Sequence, residues 1–217
     1  MLQKITKLIY LLSHPNLSKT LLSASFHGYL KDTGWINSFL SQKCVDLDGQ
    51  PIPWITYPCV DFLQERLNQT MNIFEYGIGF STLFYLDKVK NIVSVEHNEE
   101  WFKKISFLTK GYKNLVLIYS PLVDNQYSKS IVEQQLMFDI VIIDGRQRVE
   151  CIKYAVNHLS SVGVVIVDNT ERKKYQEGID FLIQLGFKKI DFWGLSAGYL
   201  NKTCTTIFYR DKNCLTI

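Results

Sequence analysis

The chain has 217 residues, 47% hydrophobic and 21% charged, with a formal net charge of +3. That length and apolar share suit one globular α/β domain able to bury a core, and no run reaches the ~20 apolar residues needed to span a bilayer. Basic residues are scattered, apart from pairs such as Lys103-Lys104, Lys173-Lys174 and Lys188-Lys189, which argues against a nucleic-acid-binding surface.

Met1 to Leu12 is apolar but contains Lys4 and Lys7. It lacks a long apolar stretch with a small-residue cleavage site, so no signal peptide is expected. It reads as a helix packed on the domain or on a second subunit, with a helix lying on a membrane surface as the alternative. The region up to about Asn68 reads as short helices broken by turns at His14-Pro15-Asn16, Asp32-Thr33-Gly34 and Asp48-Gly49-Gln50-Pro51-Ile52-Pro53. Pro51 and Pro53 force an extended segment into Trp54-Ile55-Thr56-Tyr57, and Pro58 suits the first turn of a following helix. Residues 1–57 are expected to form a helical extension or lid, and 58–217 the main domain.

From Met71 the rhythm becomes strand, helix, strand, helix. Strands are predicted near 72–76, 91–96, 114–119, 138–143 and 162–167, with helices near 81–88, 99–108, 147–160 and 172–185. That alternation predicts a parallel sheet covered on both faces. The β-branched runs 138–143 and 162–167 have the near-continuous apolar character of central strands. Segments 187–193 and 204–209 are joined by a link too short for a helical crossover, which predicts an antiparallel pair. Five cysteines, none in a Cys-x-x-Cys pair, predict reduced thiols in a cytoplasmic protein.

The stretch Asn72-Ile73-Phe74-Glu75-Tyr76-Gly77-Ile78-Gly79-Phe80-Ser81-Thr82 is a strand, a tight turn and a helix start. Glycines at 77 and 79 let backbone approach a small molecule closely. The order resembles motif I of the class I S-adenosylmethionine-dependent methyltransferases. That resemblance covers about residues 58–210. It implies a Rossmann-like α/β fold: a seven-stranded, mostly parallel sheet with a C-terminal antiparallel hairpin. It implies S-adenosylmethionine as cofactor, held by Glu75, Gly77, Gly79, Ser81 and Thr82. Glu96 ends the next strand, 21 positions after Glu75, and is expected to accept the two ribose hydroxyls; His97 would border the adenine. An NAD-dependent oxidoreductase is a weaker alternative, because Thr82 stands where Gly-x-Gly-x-x-Gly needs its third glycine. A non-catalytic cofactor-binding module is another.

Asp144 ends the strand 138–143, and Asp168-Asn169 follows the strand 162–167. Both acids are expected to be catalytic, with Asp144 also bordering the cofactor. The pattern looks like that of the metal-dependent O-methyltransferases, the catechol and caffeoyl-coenzyme A type, and the resemblance implies Mg²⁺ on Asp144, Asp168 and Asn169. The chain departs from that pattern in having no lysine just after Asp144. A metal-free carboxylate contacting cofactor or substrate is the alternative. Trp54, Tyr57 and Arg146 are substrate-side candidates, the loop 193–202 is a second candidate rim, and His27, His97 and His158 could titrate near neutrality. The Asp-Gly-Arg and Val-Asp-Asn segments also resemble bacterial methyltransferase-like proteins and, more distantly, plant glucuronoxylan O-methyltransferases. The expected reaction is O-methylation of a sugar, glycan or small-molecule hydroxyl, with homo-oligomers compatible and nucleic acid not expected as partner.

Overall fold

The computed structural model describes residues 2–217. Its centre is one seven-stranded sheet in the order β3-β2-β1-β4-β5-β7-β6. The strands are β1 (Asn72–Tyr76), β2 (Asn91–Glu96), β3 (Leu115–Tyr119), β4 (Phe138–Ile143), β5 (Leu159–Asp168), β6 (Lys188–Ser196) and β7 (Tyr199–Tyr209). The first five run parallel, and β7 pairs antiparallel with both β5 and β6. This is the expected sheet: parallel through its body and closed by an antiparallel hairpin.

Helices α5 (Tyr57–Arg66), α6 (Phe80–Leu86), α7 (Glu99–Leu108), α8 (Gln126–Lys129), α9 (Arg148–Ala155) and α10 (Gln176–Gln184) accompany the sheet. Pro58 falls in the first turn of α5, where its missing N–H removes nothing. One apolar cluster joins Leu63, Ile73, Phe84, Ile92, Ile140, Val164 and Ile207. A second joins Phe74, Val93, Val141, Ile152, Val165 and Phe208. Neighbouring strand residues alternate between the two, as period-two side chains on a sheet covered on both sides must.

Three predicted boundaries shift. The helix expected over 147–160 ends at Ala155, followed by a 3₁₀ turn Val156–His158. Leu159 pairs with Phe138 across the sheet, and Ser160 Oγ donates to Asp139 Oδ1 at 2.7 Å, so strand pairing takes these residues. The helix expected over 172–185 opens as a 3₁₀ turn, Lys173–Tyr175. The rim loop expected over 193–202 is a hairpin instead: β6 runs to Ser196 and β7 starts at Tyr199.

That hairpin grips the N-terminal region. Thr56 bridges Ser196, Thr56 Oγ1 donates to the Phe192 carbonyl at 2.9 Å, and Trp35 Nε1 donates to the Tyr199 carbonyl at 3.2 Å. Trp35, Ile52, Ile55 and Tyr57 belong to the same core cluster as the sheet. Packing therefore runs continuously across position 57, within α5. Ahead of this core stand α1 (Leu2–Ser13), α2 (Pro15–Ser23), α3 (Tyr29–Asp32) and α4 (Trp35–Ser41). No residue of α2 or α3 is buried.

Candidate functional site

In the sheet order, β2 and β3 extend one way from β1, while β4 and β5 extend the other. The strand order reverses between β1 and β4, and open α/β sheets bind ligands at the carboxyl ends of strands at that point. A cleft of ≈ 630 Å³ opens there. The turn after β1 supplies Gly77, Ile78 and Gly79 to its wall, and the ends of β2, β4 and β5 supply Glu96, Asp144 and Asp168.

The glycine turn has two distinct constraints. Gly77 has φ +97°, and a Cβ there would lie 3.0 Å from the Gly145 Cα. The loops after β1 and β4 approach closely here, and the positive φ strains any side chain at 77. Gly79 is extended, and a Cβ there would meet no protein atom nearer than 3.9 Å. Its bareness leaves open space on the cleft wall beside Ser81 and Trp101.

Below this turn lies Glu75, which is buried and absent from the cleft wall. Its carboxylate accepts from Thr82 Oγ1 at 2.6 Å, from Ser94 Oγ at 2.8 Å, and from Ser81 Oγ. Thr82 Oγ1 in turn accepts from the Gly79 N–H at 3.1 Å. The Ser81 and Thr82 hydroxyls thus point down to Glu75 and brace the turn, while Ser81 still reaches the cleft. Burial pushes the Glu75 carboxyl up to about 7, partly opposed by the three hydroxyl donors.

At the end of β2, Glu96 accepts through Oε1 from the backbone N–H of His97 and Asn98, at 2.9 and 2.7 Å. Oε2 accepts from the Ile78 N–H at 3.3 Å, tying β2 to the glycine turn. The His97 ring lies on the cleft wall with Nδ1 2.8 Å from Glu96 Oε1, off the line of a hydrogen bond. Trp101 completes this end, donating Nε1–H to the Ile78 carbonyl at 2.7 Å. Its indole has no signature in the sequence beyond a place in the first turn of α7.

The other end is organised by Arg148, which is 7% exposed despite its charge. Its Nε donates to the Gly145 carbonyl at 3.0 Å. Nη2 donates to Asp144 twice, at 2.7 Å to the carbonyl and 2.9 Å to Oδ1. Nη1 donates to the Asp168 carbonyl and reaches Asn169 Oδ1 at 3.4 Å; Asp168 Oδ2 lies 4.0 Å from the same nitrogen. Thr205 Oγ1 donates to Asp168 Oδ1 at 2.6 Å. Burial raises both carboxyls above their ordinary range. Mutual repulsion adds to this for Asp168, and Arg148 opposes it in both.

This arrangement bears directly on the Mg²⁺ expected on Asp144, Asp168 and Asn169. The three residues do converge, but a guanidinium already sits among them. Mg²⁺ needs near-octahedral oxygen donors at about 2.0–2.1 Å, and two of the three expected donors, Asp144 and Asn169, already accept from Arg148. Among the described residues no group of three or more acidic, histidine or cysteine side chains could hold a metal ion. The donor set does not fit the ion. Arg148 supplies the positive charge in its place. In sequence its only signal is the i+4 spacing from Asp144.

Two non-glycine residues here have positive φ, Gln147 at 48° and Asn169 at 57°. Such residues concentrate at functional sites. Of the substrate-side candidates, Trp54 and Arg146 line the cleft, and Trp54 is 58% exposed. Tyr57 does not. It is buried in the core and its ring meets Tyr29 edge-on, so its contact is with the N-terminal helices. Gln42, Lys43, Cys44, Arg172, Tyr199 and Thr203 also line the cleft. They come from the N-terminal segment, the loop after β5 and the hairpin, which only the fold brings together. His158 bonds through Nδ1 to the Tyr154 carbonyl at 3.0 Å, away from the cleft, and His27 is not part of the wall either.

No family model matches the chain. A 58-residue stretch, 27% of the chain, is 38% identical to an uncharacterised protein of Rickettsia prowazekii (strain Madrid E) and spans 25% of that protein's length. Among solved structures, precorrin-6y C5,15-methyltransferase of Geobacter metallireducens superposes with a TM-score of 0.56 at 16% identity, covering 70% of this chain and 87% of that one. An rRNA methylase of Streptococcus thermophilus gives 0.52 at 14%, covering 69% and 92%. An O-methyltransferase of Bacillus cereus, solved with S-adenosylhomocysteine, gives 0.52 at 16%, covering 64% and 74%. The fold is the class I methyltransferase fold. The acceptors named for these neighbours differ widely, so the fold alone leaves the acceptor open.

Proposed function

We propose that this protein is an S-adenosylmethionine-dependent methyltransferase acting on a hydroxyl oxygen of a sugar, glycan or other small molecule. The observation that carries the reading is the cleft at the β1/β4 switch point. There an open glycine wall, the Glu96 carboxylate and the strand-end aspartates share one space. The residues fit the cofactor: Gly79 leaves room on the wall, Ser81 stands at the start of α6, and Glu96 keeps a lone pair on Oε2 for a hydroxyl donor. His97 and Trp101 would flank the nucleoside, and Glu75 would act through Ser81 and Thr82 by fixing the turn.

When bound, the cofactor supplies an electrophilic methyl group on a sulfonium whose departure leaves a neutral thioether. The chain's task is to align an acceptor and to take its proton. Alignment of this kind is worth about 7–11 kcal/mol. Asp144 is the group we propose as base. Its side chain is 27% exposed, Arg148 engages Oδ1, and the other oxygen takes no hydrogen bond from the described residues. Its raised pKa favours proton capture near neutral pH. Arg148 would hold Asp144 and the Asp168 loop in register. Trp54 and Tyr199 would border the acceptor, while Lys43, Arg146 and Arg172 offer donors to its oxygens.

The test is transfer of a labelled methyl group from S-adenosylmethionine to panels of glycans, phenols and structured RNA, with and without chelator. Label in a hydroxyl acceptor, unaffected by chelator, is the expected result. Label in RNA alone would replace the acceptor class. Cofactor binding without transfer to any acceptor or to a cell lysate would favour a non-catalytic binding module.

A further inference from the structure

The first acidic residue of this chain is Asp32. The 31 residues before it contain Lys4, Lys7, Lys19 and Lys31 and no carboxylate side chain. Several apolar side chains of the same stretch lie in solvent. Leu12 is 73% exposed, Leu22 70% and Phe26 69%, and Ile9, Tyr10, Leu21 and Tyr29 are each more than half exposed. The helix pair α1–α2 packs on itself, and no residue of α2 is buried. An apolar patch of this kind on a water-soluble domain marks an interaction surface.

The charge pattern decides what fits it. A second copy of the same face would bring a second set of lysines against the first with no acid between them. A bilayer with anionic headgroups answers both features, since it takes up apolar side chains at its acyl boundary and attracts lysines. We infer that α1, α2 and the turn through Phe26 form a peripheral docking surface for an anionic lipid bilayer. α4 exposes Phe39 and Leu40 and leads directly into Gln42 and Lys43 of the cleft wall. This inference does not depend on the methyl-transfer reading.

The experiment is co-sedimentation of the full-length protein with vesicles of pure phosphatidylcholine or of phosphatidylcholine mixed with phosphatidylglycerol, at low and high salt. Binding to the mixed vesicles, weakened by salt, is expected. Lys7→Glu and Lys19→Glu should each weaken it by at least roughly fivefold, the factor equivalent to the ~1 kcal/mol typical of one basic side chain at such a surface. Leu12→Glu combined with Leu22→Glu should abolish it while melting temperature stays unchanged, because both side chains already lie in water. Equal binding to neutral vesicles, or no binding to either, overturns the inference. So does a doubled mass by light scattering that Leu12→Glu/Leu22→Glu restores to the monomer, which would make the patch a self-association face.

Discussion

Replacing Arg148 with methionine would test whether one buried guanidinium stands in for a metal ion. The substitution keeps much of the side-chain volume but removes every donor that ties the loops after β4 and β5 together. Asp144 and Asp168 would then face each other with no positive charge between them. Removing one partner of a buried ion pair costs about 3–5 kcal/mol. Because the cleft admits water that can solvate part of the freed carbonyls, the lower end applies, about 3 kcal/mol. In a chain of this size 1 kcal/mol shifts the melting temperature by about 2–4 °C, so roughly 6–12 °C is expected. The assay is thermal unfolding across pH, with and without Mn²⁺. The loss should shrink on acidification, as protonation of either aspartate relieves the repulsion. Mn²⁺ should raise the melting temperature of Arg148→Met but leave the parent unchanged. A shift below about 1 °C, or an equal Mn²⁺ response in both proteins, would refute the reasoning.

Gly79→Ala should leave the melting temperature within about 1 °C, because the added Cβ meets no protein atom nearer than 3.9 Å. It should weaken S-adenosylmethionine binding by at least tenfold in calorimetry; unchanged affinity would move the cofactor off this wall. Glu75 yields a pH prediction. Its carboxyl is raised from 4.5 to about 7 in the folded protein, so the native state holds that proton more tightly than the unfolded chain does. The stability from this group is full below about pH 4.5 and falls as pH rises through about 7. Denaturant titrations of Glu75→Gln, neutral throughout, should show a flatter decline over that window; an identical slope would contradict the assignment. Asp144→Asn should lower kcat by about 10²–10⁴-fold, the usual range for a lost general base, with cofactor affinity nearly unchanged. An equal loss in both would place Asp144 on the cofactor rather than on the acceptor.

The sheet was legible because its signals are local. Phe138–Ile143 is an apolar, β-rich run with turn residues after it, and its period survives whatever packs against it. The glycine turn was legible for the same reason, although its two glycines turn out to act differently: Gly77 accommodates the Gly145 loop, and Gly79 leaves open space. What stayed hidden depends on contacts far apart in the chain. Leu159 and Ser160 leave the helix for the strand only because Phe138 and Asp139 are there to receive them. Tyr57 looked like a rim aromatic beside Trp54, yet α5 turns it into the core. Arg148 is the clearest case. Nothing in an Arg-Gln-Arg stretch says which guanidinium will be buried, and only the approach of the β4 and β5 ends makes one of them the counter-charge to both aspartates.

The central claim is that the cleft between the ends of β1 and β4 accepts S-adenosylmethionine without a metal ion. Calorimetric titration of the unmodified protein with S-adenosylmethionine and with its demethylated product, in chelator, addresses it most directly. Saturable binding of both at one site, lost on Trp101→Ala, is the predicted result. No heat at millimolar ligand, or binding only after a divalent cation is restored, would contradict the account.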